Sequence, residues 1–363
     1  MSNILTIALN ILEFVLAFGV LVFIHEFGHY ITAKLSGIEV EEFGFGYPPR
    51  IIKMFRWKGT DFSLNWIPFG GFCRMKGENA ADMSPGSFAA AKPWRRLITL
   101  LGGAFMNLLL GFILVIILFM RMGSYDTTRV AVTDVAAGSP AAAANIQVGD
   151  IITKVNDGSV TSMEALSVLI ADNLEKDTQL TLQRGEESLI VDLVPRSEPP
   201  EGQGAMGVTI SYPTVEVTFW QAVPAAFLST LEQGVQLITL PVKLITGEIE
   251  TADTRMVSVV GLYNIYEQVK TEDSTTAAEN PEAKNLYILS YLATLSIALG
   301  YTNLLPIPAI DGGRILFLIP ELLFHKKVKP ELESRVHLIG FSLLLLLMVV
   351  LVINDIVNPI SLP

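Results

Sequence analysis

Two histidines and a glutamate, in the run His25-Glu26-Phe27-Gly28-His29, have the types and spacing needed for metal chemistry. On a helix, residues four apart lie on one face about one turn apart, so His25 and His29 can bind the same ion. Glu26 lies beside them and can act on a metal-bound water. The motif ends an apolar stretch, where ionisable groups are costly and usually functional. The plain structural alternative is a pair of capped histidines at a helix end.

A catalytic metal site needs a third protein ligand and one open position. The other two histidines, His325 and His337, lie in or beside a basic segment and do not complete the set. Asp311 is the better candidate, because it ends a long uncharged run that Pro306 and Pro308 interrupt just before it. The alternative for Asp311 is an ordinary carboxylate at a helix end.

The composition indicates a membrane protein. Of 363 residues, 51% are hydrophobic and 17% charged, whereas a soluble domain carries about 25% charged residues. The single cysteine, Cys73, excludes an intramolecular disulfide and a site built from several thiolates. The net charge of −11 argues against a nucleic-acid partner, whose phosphates require clustered Lys and Arg.

Four apolar stretches approach or exceed the roughly 20 residues that a membrane-crossing helix needs. These predicted spans are Ile4–Ile24, Leu97–Met120, Asn285–Ile310 and Val336–Asn354. A fifth stretch, Val217–Gly247, is interrupted by two prolines and two charged residues. We expect it to form an amphipathic helix at the membrane interface rather than a span.

The charges of the connecting segments predict the orientation. Lys and Arg exceed Asp and Glu by 4 in Ala33–Arg96 and by 1 in 311–335, whereas residues 121–284 carry a net charge of −13. The positive-inside rule therefore places the first two segments in the cytoplasm and the acidic segment, with both termini, outside. In this topology the first and third spans bring His25, His29 and Asp311 to one depth, and a fifth span would separate them.

The outer segment contains a small β-rich region. Between residues 125 and 196, short alternating apolar runs are separated by Gly, Asp and Asn turns. The run Gly138–Gly158 resembles the bacterial PDZ pattern, and such domains bind chain ends or extended segments at a sheet edge. A structural plug without a ligand is the alternative. Thr271–Lys284, which is acidic and rich in Ser and Thr, is predicted to be a mobile loop.

The ordered set of motifs resembles the site-2 protease family of intramembrane zinc metalloproteases, in its bacterial regulator of sigma-E protease form with one PDZ domain. The set comprises HExxH in the first span, the PDZ-like insert, and Asn-x-x-Pro-x-Pro-x-x-Asp-Gly-Gly ending at Gly313. Between the first two spans, Val40–Gly46, Gly59–Leu64 and Ile67–Gly77 resemble the family's membrane-associated β-hairpin region.

This resemblance implies the role of each site residue. His25, His29 and Asp311 would be ligands of Zn²⁺, and Glu26 would be the catalytic base. Asn303 would contact the substrate backbone, and the Gly44-Phe45-Gly46 hairpin would pair with an unwound substrate segment. The expected substrates are single-pass membrane proteins, cleaved in or near their membrane segment in regulated intramembrane proteolysis. The expected location is the bacterial inner or cell membrane, with a peptide as candidate ligand of the PDZ-like domain.

The predicted fold is a polytopic α-helical membrane protein with four transmembrane helices, a membrane-associated β-hairpin region and an inserted PDZ-like domain. Two other functions compete with proteolysis: a catalytically silent scaffold that presents the PDZ-like domain, and a transporter with a metal at the midplane. The predicted segments are 1–35 (first span), 36–96 (β region), 97–120 (second span), 121–200 (PDZ-like), 201–284 (external linker with the amphipathic helix), 285–313 (third span with the Asp-Gly motif), 314–335 (cytoplasmic loop) and 336–357 (fourth span).

Overall fold

The computed structural model describes residues 2–78, 82–200, 202–247 and 255–360. The chain divides into two compact units, one formed by Met1–Leu118 with Phe219–Pro363 and the other by Phe119–Thr218. The helices are α1 (Ser2–Leu35), α2 (Pro93–Met122), α3 (Pro140–Ala143), α4 (Met163–Ala171), α5 (Phe219–Thr246), α6 (Val259–Glu279), α7 (Leu286–Leu304), α8 (Asp311–Phe324) and α9 (Pro330–Val357). The strands are β1 (Val40–Trp57), β2 (Thr60–Met75), β3 (Ser124–Tyr125), β4 (Val130–Val135), β5 (Ile151–Val155), β6 (Gly158–Ser159), β7 (Thr178–Arg184), β8 (Glu187–Leu193), β9 (Val208–Ser211) and β10 (Thr214–Val215).

Among the described residues, three helices are long and apolar enough to cross a membrane: Ile4–Leu35, Pro93–Met122 and Pro330–Val357. They correspond to the first, second and fourth predicted spans. The third predicted span forms α7, which has 19 residues and carries Thr302 and Asn303 in its last turn. A membrane crossing by α7 therefore stays a prediction.

The region after α7 differs from the prediction. We expected one span to continue through the Asp-Gly motif and a loop over 314–335, but the chain breaks after Leu304 and restarts as α8 at Asp311. Pro306 and Pro308 cause the break because proline cannot donate the hydrogen bonds of a continuing helix. The new helix has an amphipathic pattern and buries Leu318, so most of the predicted loop is helical.

The segment predicted as a linker, 201–284, is also more regular than expected. It contains β9, β10, α5 and α6, and α6 extends through most of the predicted mobile loop. The reason is Asp273, which is 3% exposed and accepts hydrogen bonds from the backbone N–H groups of Asn285 (2.7 Å) and Tyr287 (2.9 Å). This carboxylate ties α6 to the start of α7. The helix predicted within Val217–Gly247 is present as α5, which packs against α7.

The long strands β1 and β2 are each bent into two arms. Gly44 pairs with both Ser63 and Phe72, and Phe45 pairs with both Leu64 and Gly71. The first arm of β1 is therefore the centre of this sheet, with a β2 arm on either side. The outer edges are the second arm of β1, from Arg50 to Trp57, and the end of β2 from Gly71 to Met75.

The unit Phe119–Thr218 is a β-sheet with two short helices. Its strands are in the order β8-β7-β5-β4-β9, with β6 paired to β5, and its core includes Val130, Ile152 and Leu180. The predicted alternation of apolar and polar residues is seen in β7. The unit ends later than the predicted residue 200, because β9 adds to the sheet beside β4.

The unit contains a buried carboxylate, paired with a half-buried arginine, that predicts how the stability of the unit depends on pH. Asp150 is 0% exposed and accepts hydrogen bonds from Arg184 Nε (2.7 Å) and Nη2 (2.8 Å), and from the Gln147 N–H (2.9 Å). The Arg184 hydrogen bond lowers the pKa of Asp150 below its ordinary value. A carboxylate of this kind stabilises the folded state above its unfolded pKa, and that contribution is lost as the pH falls through its lower folded pKa.

We therefore expect Asp150→Asn to lower the free energy of unfolding of this unit by about 1–3 kcal/mol at pH 7, and by much less in strong acid. Hydrogen exchange of β5 and β7 amides in the full chain measures the change. Asp157→Asn, which alters an exposed carboxylate of the same unit, is the control and should have little effect. If the β5 and β7 amides were equally protected from exchange in Asp150→Asn and in the parent chain at pH 7, the stabilising role of Asp150 would be contradicted.

Candidate metal centre

Helix α1 places both histidines of the sequence motif on one buried face. His25 is 9% and His29 6% exposed, and their Nε2 atoms lie 3.2 Å apart. His29 Nδ1 lies 2.8 Å from the carbonyl oxygen of Thr99 on α2. When Nδ1 carries the proton it donates to this carbonyl, which fixes the ring and leaves Nε2 free to bind a metal.

The break before α8 brings Asp311 to the histidines. Asp311 Oδ2 lies 3.2 Å from His25 Nε2 and 3.1 Å from His29 Nε2, although 282 residues separate Asp311 from His29. Among the described residues, these three are the His, Cys, Asp or Glu side chains whose ligand atoms lie close enough together to bind one metal ion. The expected convergence of two segments distant in sequence is thus present.

The donor set fits a tetrahedral zinc ion. Zinc bonds of about 2.0–2.1 Å in tetrahedral geometry place ligand atoms roughly 3.3 Å from one another. The three donor atoms are separated by 3.1–3.2 Å. Two imidazoles and one carboxylate supply three ligands and leave the fourth position open, which is the pattern of catalytic zinc sites.

Helix α2 also forms a wall of the centre, which was not predicted from the sequence. A Cβ atom at Gly103 would lie 2.4 Å from His29 Nε2 and 2.7 Å from His25 Cε1. No side chain fits there. The signal in the sequence was the run of small residues Gly102-Gly103-Ala104 within the second predicted span, since small residues let membrane helices approach closely.

The centre lies in a cavity of about 490 Å³ that also contains Glu26 and Asn303. Asn303 Nδ2 donates to the carbonyl oxygen of Leu299 at 3.0 Å, one turn back on α7. Tyr47, Asn107 and Arg314 line the same cavity and were not among the predicted site residues.

The Gly44-Phe45-Gly46 segment lies beside this cavity rather than in it. It lines an adjoining groove of about 660 Å³ between α1 and the β1–β2 sheet, and Glu26 lines both spaces. Because β2 pairs with Gly44 and Phe45 on both sides, these two residues have no edge to offer an added strand. This differs from the pairing that the resemblance implied.

The free edge at the cavity is the end of β2. Gly71, Cys73 and Met75 line the cavity, and the described strands include none on their outer side. The Met75 N–H, at the end of this arm, donates to Glu78 Oε2 at 3.3 Å. Because this arm pairs with β1 on one side, alternate backbone groups of Gly71–Met75 face away from β1.

Residues 13–347 match the family model of peptidase family M50. The chain belongs to peptidase family M50. A Clostridium acetobutylicum protein, named provisionally as a zinc metalloprotease, is 33% identical over 359 residues, covering 97% of this chain and 98% of that protein. The predicted family and protease class are confirmed.

Two relatives with functional names extend the M50 comparison. The zinc metalloprotease RasP of Oceanobacillus iheyensis is 27% identical and the regulator of sigma-W protease RasP of Bacillus subtilis 26%, each match covering 96% of this chain and 98% of the relative. A solved PDZ domain from Listeria monocytogenes covers 24% of this chain at 22% identity with a TM-score of 0.21. That likeness is too low to establish the fold of the second unit.

The close contact at Gly103 yields a test of the M50 metal centre. Gly103→Ala should displace a histidine ring, so we expect the zinc content of the purified chain to fall from about one per molecule to well below half. Gly19→Ala on α1, where an added Cβ meets no atom within 4 Å, should keep full zinc. Metal analysis of folded, membrane-extracted protein gives the ratio, and normal zinc in Gly103→Ala would contradict the described packing.

Proposed function

We propose that this M50 peptidase hydrolyses peptide bonds in or near the membrane-spanning segments of other membrane proteins. In this proposal His25, His29 and Asp311 bind zinc and Glu26 is the general base. The observation that carries the proposal is the convergence of two buried histidines, one carboxylate and an adjacent glutamate on a helix apolar enough to span the membrane. Burying ionisable side chains in a membrane-spanning helix costs free energy, so such side chains usually have a function.

Bound zinc would act as a Lewis acid and lower the pKa of a water molecule. Glu26 accepts the proton of the attacking water on its carboxylate and later donates it to the leaving amine. The Thr99 carbonyl holds His29 in the orientation that binds metal. Asn303, which lines the cavity, would contact the substrate backbone.

A peptide bond inside a helix must be exposed before hydrolysis, and the unwound segment then needs new hydrogen-bond partners. We assign this role to the outer edge of Gly71–Met75, which can accept an extended segment as an added strand. Gly44 and Phe45 pair with the inner side of that arm. Together with Gly46 they line the groove along α1, through which an apolar segment can approach Glu26.

The proposed topology keeps four spans, with α7 as the third. It places the termini and the PDZ-like unit outside the cell membrane and the β1–β2 sheet on the cytoplasmic side, as the charges of the segments favour. The expected substrates are single-pass proteins. The PDZ-like unit would bind a peptide or filter substrates by the size of their external domain.

The proposal is tested first at Glu26. Glu26→Gln keeps the shape of the side chain but cannot accept the proton, so cleavage should fall at least about 100-fold while about one zinc stays bound. His25→Ala combined with Asp311→Ala should lose the zinc as well as the activity. Glu41→Gln, at an exposed glutamate, is the matched control. Cleavage by Glu26→Gln within a few-fold of the parent chain would refute the assigned base.

Addition of the substrate as a strand at the Gly71–Met75 edge is tested with chemically modified substrates. Only every second backbone N–H of an added strand faces the edge. N-methylation of a synthetic membrane-spanning substrate, one position at a time, should therefore raise KM at alternate positions by about two- to tenfold. The positions between them should change little. A uniform effect, or none, at four successive positions would argue against pairing.

Sidedness is tested by labelling cysteines placed at Lys58 and Asp157, both exposed, in a Cys73→Ala background. Cys73 itself is 7% exposed and reacts poorly. An impermeant reagent added to intact cells should label the cysteine at 157 and leave the one at 58 unlabelled. After permeabilisation both should react. Labelling of both from outside would overturn the four-span topology.

A further inference from the structure

Asn107 is a buried polar side chain in the cavity that the proposed mechanism does not use. It lies on α2, is 1% exposed and lines the cavity of the metal centre. Among the described residues, neither its Oδ1 nor its Nδ2 has a hydrogen-bond partner. Burying an amide without partners is unfavourable, and native proteins rarely leave both atoms unpaired.

The backbone around Asn107 is held firmly. Its carbonyl oxygen accepts a hydrogen bond from Ser296 Oγ on α7 at 2.8 Å, and Ser296 is 0% exposed. Gly300 packs against Leu108 at the same interface. The backbone that carries Asn107 is therefore fixed in position while the side-chain amide remains available, which suits a preorganised binding group.

The position of Asn107 on α2 sets its distance from the metal centre. Gly103, which contacts both histidine rings, precedes Asn107 by four residues, and such residues are neighbours on a helix face, about 5–6 Å apart. An extended peptide advances about 3.3 Å per residue. Asn107 can thus reach the backbone within one or two residues of a peptide bond held at the metal centre.

We propose that Asn107 binds the substrate backbone, with Nδ2 donating to a carbonyl oxygen and Oδ1 accepting from an N–H. This inference rests on the proposed proteolysis. A primary amide presents one donor group beside one acceptor, which complements the peptide backbone of any sequence. Asn107 and Asn303 line the same cavity from α2 and α7, so the unwound segment is held, in addition to the Gly71–Met75 edge, by groups that do not select side chains.

The main test compares Asn107→Leu, which has a similar shape but no polar atoms, with the parent chain. No protein partner is lost, so the thermal midpoint should be unchanged or higher and the zinc content unchanged. The ratio kcat/KM should fall about 5- to 150-fold. Thr230→Val is the control, because Thr230 Oγ1 on α5 is also buried without a partner but does not line the cavity. It should keep the parent kcat/KM.

Inhibitor binding distinguishes a contact of Asn107 with the peptide from an effect of Asn107 on the metal centre. A tripeptide hydroxamate should bind Asn107→Leu and Asn107→Ala more weakly by a factor like that for kcat/KM, whereas acetohydroxamate, which has no peptide, should bind within about twofold of the parent. Equal weakening of both probes, or of neither, would overturn the inference. A lower thermal midpoint in Asn107→Leu with unchanged tripeptide affinity would do the same and show a structural role. Failure of the proposed function itself is distinct, since the parent chain would then cleave no membrane-spanning substrate, whatever the affinities of the Asn107 variants.

Discussion

The close approach of α1 and α2 is the constraint on which the metal centre depends. A Cβ atom at Gly28 would lie 2.1 Å from the carbonyl oxygen of Gly102, so neither helix could carry a side chain there. This contact brings the Thr99 carbonyl to His29 and places Gly103 against both imidazole rings. Without it the histidines would lack both their orienting partner and the wall that limits where a metal ion can lie. Packing of small residues thus substitutes for the hydrophobic driving force that is absent between helices in lipid.

The other elements can be understood by what they add to that contact. The broken helix after α7 brings Asp311 to the histidines, and Arg314 holds the start of α8 through an ion pair with Glu78. Further along α8, Glu321 accepts from Arg96 of α2 at 2.7 Å, with both side chains largely buried. The β1–β2 sheet adds a strand edge on the side of Glu26. The candidate metal ligands, Glu26 and the free strand edge therefore come from three separate segments, α1, β2 and the start of α8, that meet around one cavity.

The sequence predicted the chemistry better than the architecture around it. The spacing of His25 and His29 was sufficient to place both rings on one face because helix periodicity is a local signal, and the expected proximity of Asp311 to them is present. The double pairing of Gly44 was not predictable, because each strand contacts two arms of its partner and register over such distances depends on tertiary packing. The end of α6 was missed since the acidic, Ser- and Thr-rich composition of Thr271–Lys284 suggested a loop, and α8 was missed since 314–335 was predicted as a connecting segment between two spans. Asp273 and the proline break decide the structure instead. Asn107 gave no signal beyond being a polar residue in a span.

Zinc K-edge X-ray absorption on the purified, zinc-loaded chain tests the central claim most directly. The account predicts four light-atom ligands at about 2.0–2.2 Å, of which two show the multiple-scattering pattern of imidazole. Asp311→Ala should remove one oxygen ligand without changing the imidazole count. A sulfur ligand near 2.3 Å, which only Cys73 or a methionine could supply, or a third imidazole from His325 or His337, would contradict the account.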